Sequence, residues 1–323
     1  YVCHAPQEGR QSCQDTLQLP ARMAASDPWR RPAATFPGAI ARLLPTAKVR
    51  DLSPILGAIR LVKSSSEIEQ MRVAGRLTAM AVCEAMRSTA VGLRESQLAA
   101  IADYVFLVNG ASGSGYRPIV ASGANIWNMH YYRNNGRLSD GDLVLMDYAP
   151  ECTYYTSDIG RMWPVNGRYQ PWQRELYGFV VDYHTALLDS IAPGKTGSEI
   201  CQNAAKKLAP IVARTRWSRP SFESAVQMLL NAGKPFTHGV GMAIHEGAGY
   251  QEGELRPGQV FALDPQLWVP NEKIYIRVED TVAVTERGME NLTTACPHLP
   301  ADVESIMAEA GILQLRPDLV AVV

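Results

Sequence analysis

No run of 18 consecutive apolar residues occurs in this 323-residue chain, so a transmembrane helix is not expected. Neither sign of charge is in excess. The 31 Lys and Arg against 32 Asp and Glu leave a formal net charge of −1, which removes the electrostatic case for nucleic acid or an anionic membrane as partner. Cysteine is sparse and scattered: Cys3, Cys13, Cys83, Cys152, Cys201 and Cys296 form no C-x-x-C pair. Reduced, structural thiols are therefore expected; Cys3 and Cys13 are the only close pair. Methionine is missing from position 1, where Tyr1 stands. The N-terminus thus reads as processed or trimmed, and a removed leader would leave no trace. Cytoplasm is favoured over a secreted or periplasmic location.

What is present is ample core. Hydrophobic residues make up 46% and charged residues 20%, the balance of a globular chain of one large or two ordinary domains. Residues 1–50 are rich in Pro, Arg, Gln and Ala, with "SDPWRRPAATFPG" reading as a linker. They are too polar for a core of their own and look like an arm or the end of something larger. Ser64 and Glu67 then have capping-box spacing. Ile68, Met71, Ala74, Leu77, Ala81 and Ala85 recur at helical steps and predict a long amphipathic helix. Helices are also predicted from Arg94 to about Val108 and near 171–191, 197–213, 222–232 and 301–310. Strands are predicted in "GYRPIV", "DLVLMDYAP", "YYTSDIGRMWP", "GVGMAIH", "QVFALD" and "KIYIRVEDTVAV". The order helices, strands, helices, strands predicts an α+β fold, a mainly antiparallel sheet with helices outside. The repeated order hints at two pseudo-duplicated halves.

Five residues could share a site. Asp147 ends an apolar strand, and Asp158 follows eleven positions on; a hairpin turning at the 152/153 bond would set the two opposite each other. In "FTHGVGMAIHEGAGY", Gly239, Gly241 and Ala243 leave one strand face nearly bare, open to a ligand or metal. His245 lies on that face, and glycine irregularity would swing His238 back toward it. Asp264 ends a strand before Pro265. Glu279 shares a face with Arg277, while Asp280 beside it has the wrong parity, which predicts a bend between two strand pieces. Four carboxylates with one imidazole cannot be buried together unless neutralised. Two divalent cations would match them, as in dinuclear hydrolases. The oxygen-rich set favours manganese first, with cobalt, zinc or iron as alternatives.

D-x10-D, then H-G-x-G-x3-H-E, then an acid before Pro, then R-x-E-D resembles the pita-bread metallopeptidases. These include methionine aminopeptidase, aminopeptidase P, prolidase and the metal-free creatinase. The resemblance covers about residues 60–300, and "LGAIRLVKSSSEIEQMRVAG" is similar to the junction into the catalytic domain of aminopeptidase P and prolidase. It implies a pita-bread domain over 61–323, with 1–60 the remnant of an N-terminal domain, an arm or a linker. It also implies two divalent metal ions: Asp147 on one, Asp158 and Glu279 bridging, His238 and Asp264 on the second. His130, in "ASGANIWNMHY", and His245 would stand beside the substrate and stabilise the tetrahedral intermediate or leaving amine. Arg277 would orient a carboxylate ligand. Asp264 could also shuttle protons.

The implied reaction is hydrolysis of the N-terminal bond of short peptides, of Xaa-Pro type, by a hydroxide bridging the metals. The alternative is a non-hydrolytic binding protein, a creatinase-like C–N hydrolase or a metal-dependent lyase on the same fold. A small peptide is the expected partner, and a homodimer is expected by analogy. Three departures stand out. Asp264 replaces the family's Glu and loses a methylene of reach. Lys234 replaces a histidine four residues before His238, which bears on proline selectivity. Asp-Pro-Gln replaces Glu-Pro-Gly, with Trp268 close behind as a core residue or pocket wall.

Overall fold

The computed structural model describes residues 36–233, 237–246 and 253–319. Two short helices, α1 (Phe36–Leu43) and α2 (Ser53–Leu61), precede the main body. At Ser64 the predicted cap forms. The Glu67 amide donates to the Ser64 hydroxyl at 3.4 Å, and the Ser64 amide donates to Glu67 Oε2 at 2.7 Å. Two orphan amides are satisfied this way, and α3 (Ser65–Ser88) runs for 24 residues. Its buried stripe includes Met71, Ala74, Leu77, Ala81 and Ala85, five of the positions the periodicity singled out; the sixth, Ile68, is half-buried. Gly75 lies in the same stripe, where any Cβ would collide with the Leu292 carbonyl oxygen. Helix α4 (Glu95–Val108) packs on α3.

Every strand pairing is antiparallel among the described residues. Strands β1 (Gly113–Ser114) and β4 (Pro150–Glu151) form a two-stranded patch. Strands β2 (Ile119–Ser122), β3 (Leu143–Asp147) and β5 (Gly160–Pro164) make a sheet of order β2-β3-β5. After helices α5 (Pro171–Leu188), α6 (Gly197–Arg214) and α7 (Pro220–Asn231) comes the second half. Its sheet has the order β11-β10-β7-β6, from β6 (Thr237–Gly239), β7 (Val260–Leu263), β10 (Asp280–Thr285) and β11 (Gly288–Asn291). Strands β8 (Gln266–Val269) and β9 (Ile274–Arg277) form a hairpin that packs against α5 and α7. Helices α8 (Pro300–Met307) and α9 (Ile312–Leu315) close the chain against α3.

The two larger sheets meet at one bridge. Glu279 donates its amide to the Gly160 carbonyl at 2.9 Å, and Gly160 returns the bond at 3.2 Å. Arg161, fully buried, clamps this seam. It donates to the carbonyls of Gly160 at 3.0 Å, Pro297 at 3.2 Å and Cys296 at 3.2 Å, to the carbonyl of Glu279, and to Asp280 at 2.6 Å.

Two predicted strands come out differently. "KIYIRVEDTVAV" splits at Val278-Glu279 into β9 and β10, as the parity break implied. "GVGMAIH" keeps only its first residue, Gly239, in β6, and residues 241–245 form a bend. Cys83, Cys152, Cys201 and Cys296 are buried and free; Cys3, Cys13 and Lys234 fall outside the described residues. Among the described residues, no helix is long and apolar enough to cross a membrane.

Candidate metal centre

Asp147 is the last residue of β3, and its backbone partner is Gly160, not Asp158. The expected opposition of the two aspartates is thus offset by two residues. The reason lies in the turn. Thr153 and Tyr154 adopt positive φ of 52° and 71°, and Cys152 bridges Tyr155, so the hairpin centres one residue later than the 152/153 bond. Asp158 is fixed instead by Thr281 of β10, whose hydroxyl accepts its amide at 2.6 Å and lies 2.8 Å from its carbonyl. The two carboxylates still converge, because the Tyr116 hydroxyl lies 2.8 Å from Asp147 Oδ1 and 2.9 Å from Asp158 Oδ1. Nothing in the sequence marked Tyr116, which precedes a short strand without a motif around it.

Arg277, at the end of β9, gathers the rest. It donates to Asp147 Oδ2 at 2.8 Å and Asp264 Oδ1 at 2.9 Å, and a third donation reaches Glu279. The expectation of one ordering contact therefore understates it: one guanidinium holds three acids. Gln266, in the position after Pro265, donates its amide to the other oxygen of Asp264. His238 Nε2 stands 3.2 Å from Asp158 Oδ2. Donor atoms of Asp158, His238 and Glu279 lie within 4.8 Å of one another. Asp147 and Asp264 adjoin this trio through Tyr116 and Arg277.

The electrostatics fit bound cations. Burial pushes the Asp147 carboxyl up to about 6, against the pull of Arg277. Burial likewise raises Glu279 far above the usual carboxylate range, and raises Asp264. Asp158 moves the other way: burial opposes its charge, but His238, Arg277 and Tyr116 together hold it below the usual value. His238 is raised, because its bond to Asp158 outweighs burial. With all four acids ionised, one guanidinium and one imidazolium leave two negative charges uncompensated. Glu279 Oε1 is also buried with no hydrogen-bond partner. An oxygen-rich donor set with surplus negative charge and an orphaned carboxylate oxygen suits divalent metal.

The two other histidines line the same cavity of about 610 Å³, with Tyr116, Arg117, Ile244, Asp147 and Glu279 among the wall residues. His130 stacks near Tyr132 at 5.9 Å between ring centroids, and the His238 and His245 rings are 4.3 Å apart. The bend carrying His245 closes through Glu246, whose amide donates to the Gly239 carbonyl at 2.7 Å. Glu246 Oε2 pairs with the buried Lys63 ammonium at 3.2 Å. The bare face at Gly241 is occupied by this carboxylate, since a Cβ there would collide with Glu246 Oε2. That corrects the expectation that the space admits a ligand. Trp268 is a core residue: it stacks on Tyr275 at 4.0 Å and packs against Trp127 at 5.1 Å, outside the cavity wall.

Residues 69–286 match the family model described as metallopeptidase family M24. The chain belongs to metallopeptidase family M24. This M24 chain is 32% identical to Xaa-Pro aminopeptidase 3 of Mus musculus over 279 residues, covering 82% of this chain and 54% of that protein. It is 31% identical to Xaa-Pro aminopeptidase of Escherichia coli strain K12 over 289 residues, 84% of this chain and 65% of that one. Among solved structures, proline aminopeptidase P II from Yersinia pestis aligns with a TM-score of 0.71 at 32% identity, covering 81% of this chain and 64% of that one. The chain thus spans between about half and two-thirds of the length of these relatives. The α+β architecture is the pita-bread fold of this family.

Proposed function

We propose that this M24 member is a metal-dependent exopeptidase that removes the N-terminal residue of short peptides, with Xaa-Pro peptides its favoured class. The observation that carries the reading is the convergence of Asp158, His238 and Glu279 within 4.8 Å inside the cavity, with two further acids tied to them. The names of the relatives support the Xaa-Pro preference. Asp147, Asp158, His238, Asp264 and Glu279 would hold two divalent ions, manganese being the first to try. When bound, such ions supply Lewis acidity and a water that ionises near neutral pH.

The chain's own side chains do the rest. Arg277 keeps Asp147, Asp264 and Glu279 aimed inward, and Tyr116 fixes the spacing of Asp147 and Asp158. His130 and His245 stand on the wall as donors to the oxygen that becomes negative when the peptide carbonyl is attacked. The complete donor set favours this reading over a metal-free or purely binding member.

The test is elemental analysis of purified protein together with a panel of Xaa-Pro and Xaa-Ala peptides. About two ions per chain and release of the first residue are expected, with activity lost on chelation and regained on adding metal. Asp158→Asn and His238→Ala are each expected to lower kcat at least about a hundredfold. Full hydrolysis by metal-free protein overturns the reading.

A further inference from the structure

We propose that Arg117 captures the free C-terminal carboxylate of a short peptide, so that the cavity selects small zwitterionic peptides over amidated ones. The inference rests on the peptidase reading for the reaction, though not for the ligand's charge pattern. The cavity wall carries two guanidiniums, Arg117 and Arg277. Arg277 is buried, and its donors are committed to three carboxylates. Arg117 is exposed and pairs with no carboxylate among the described residues. One of its nitrogens donates to the Tyr132 carbonyl at 3.1 Å, and its guanidinium carbon sits 5.2 Å from the Tyr132 ring centroid.

These two contacts hold the side chain without neutralising it. A guanidinium has five N–H donors in a planar fork. One bond to a carbonyl and a ring face against its plane leave a pair of donors for a carboxylate. Asp103, which lines a second groove together with Arg117, accepts the Tyr148 hydroxyl.

Tyr116 and Arg117 both line this cavity. Tyr116 reaches the acid cluster, and Arg117 rests on Tyr132. In metal-free protein the acid cluster carries surplus negative charge and matches an ammonium, whereas Arg117 matches a carboxylate with or without metal. A cavity of about 610 Å³ that holds both suits a peptide of few residues.

The experiment compares each short peptide with its own C-terminal amide. For metal-loaded wild-type protein, kcat/KM for an Xaa-Pro tripeptide acid should exceed that for the amide by about ten- to a hundredfold, mostly through KM. Arg117→Gln should bring the ratio close to one by raising KM for the acid, with kcat retained. Arg117→Lys should restore part of it. Calorimetric titration of metal-free protein with the same acid and amide reads binding without turnover, and should show the same preference, abolished in Arg117→Gln. Equal handling of acid and amide by wild-type protein, or a preference that survives in Arg117→Gln, overturns the proposal. Acid-selective binding that depends on Arg117, without cleavage of either peptide by the metal-loaded protein, leaves the proposal standing and overturns the peptidase reading alone.

Discussion

Tyr116 has one proton and two carboxylates within hydrogen-bonding distance. Only one can receive it. Of the two, Asp147, raised to about 6 by burial, takes a proton before Asp158, which is held below the usual carboxylate value. An unfolded aspartate titrates near 3.9, so between about 4 and 6 the folded state holds the extra proton. The stability this provides is fully present below about pH 4 and is lost as pH rises through about 6. Metal-free protein should therefore melt lower at pH 7 than at pH 5. Asp147→Asn should flatten that slope, and saturating divalent metal should reverse it. Gln266 makes a second point at this scale. Its amide competes for Asp264, so Gln266→Gly should tighten metal binding, read as a lower Kd in a metal titration. Asp147, Asp158, His238 and Glu279 were legible in the sequence because spacing, Gly content and strand parity each mark them. Tyr116 was not, because a single hydroxyl acting across chain segments leaves no local pattern; Gln266 stood out only as a departure from Glu-Pro-Gly, with nothing to mark its bond to Asp264.

At the scale of elements, the segment after β6 is the instructive one. Its alternation of Gly with apolar residues imitates a strand, and period alone cannot separate a strand from a bend closed by a side chain. The bend is decided by Glu246, and Glu246 depends on Lys63, the residue before the Ser64 cap. Burial lowers the Lys63 ammonium below its ordinary value, and the Glu246 charge partly offsets this. Removing Glu246 leaves the buried ammonium without its carboxylate, and removing Lys63 leaves Glu246 Oε2 without its cation, with only the half-buried Arg60 3.6 Å from the other oxygen. Lys63→Met should cost about 3 kcal/mol in denaturant unfolding, and the double variant Lys63→Met/Glu246→Leu should return to within about 1 kcal/mol of wild type. Activity should stay low in the double variant, since the bend that presents His245 has lost the carboxylate that accepts the Met242 amide at 3.3 Å. The cap at Ser64 and the helices, by contrast, were readable: their signals lie within three or four residues of one another.

For the whole molecule, the α+β layout followed from the order of periodic segments, while the division into two larger sheets and two two-stranded patches did not. That division depends on pairings between residues more than a hundred positions apart, such as Gly160 with Glu279. Gly75 links the same distant parts: α3 can approach the end of β11 only because no side chain intervenes. The obstacle is a backbone carbonyl, which cannot rotate aside. Gly75→Ala should therefore destabilise by about 1–3 kcal/mol despite the better helix propensity of alanine, a loss visible as a lower thermal midpoint.

The Arg161 clamp has a mechanical corollary. Asp147 ends a strand of one sheet and Asp158 lies two residues before another of its strands; His238 sits in the other sheet, with Asp264 just after its β7 and Glu279 just before its β10. The joint between them is riveted by a buried guanidinium and reciprocal amides. A jaw-like motion of the halves would have to tear that rivet, so the reactive cleft works as a rigid mould, filled through its mouth. Its joint amides at Gly160 and Glu279 should rank among the slowest in the chain to exchange with deuterated solvent.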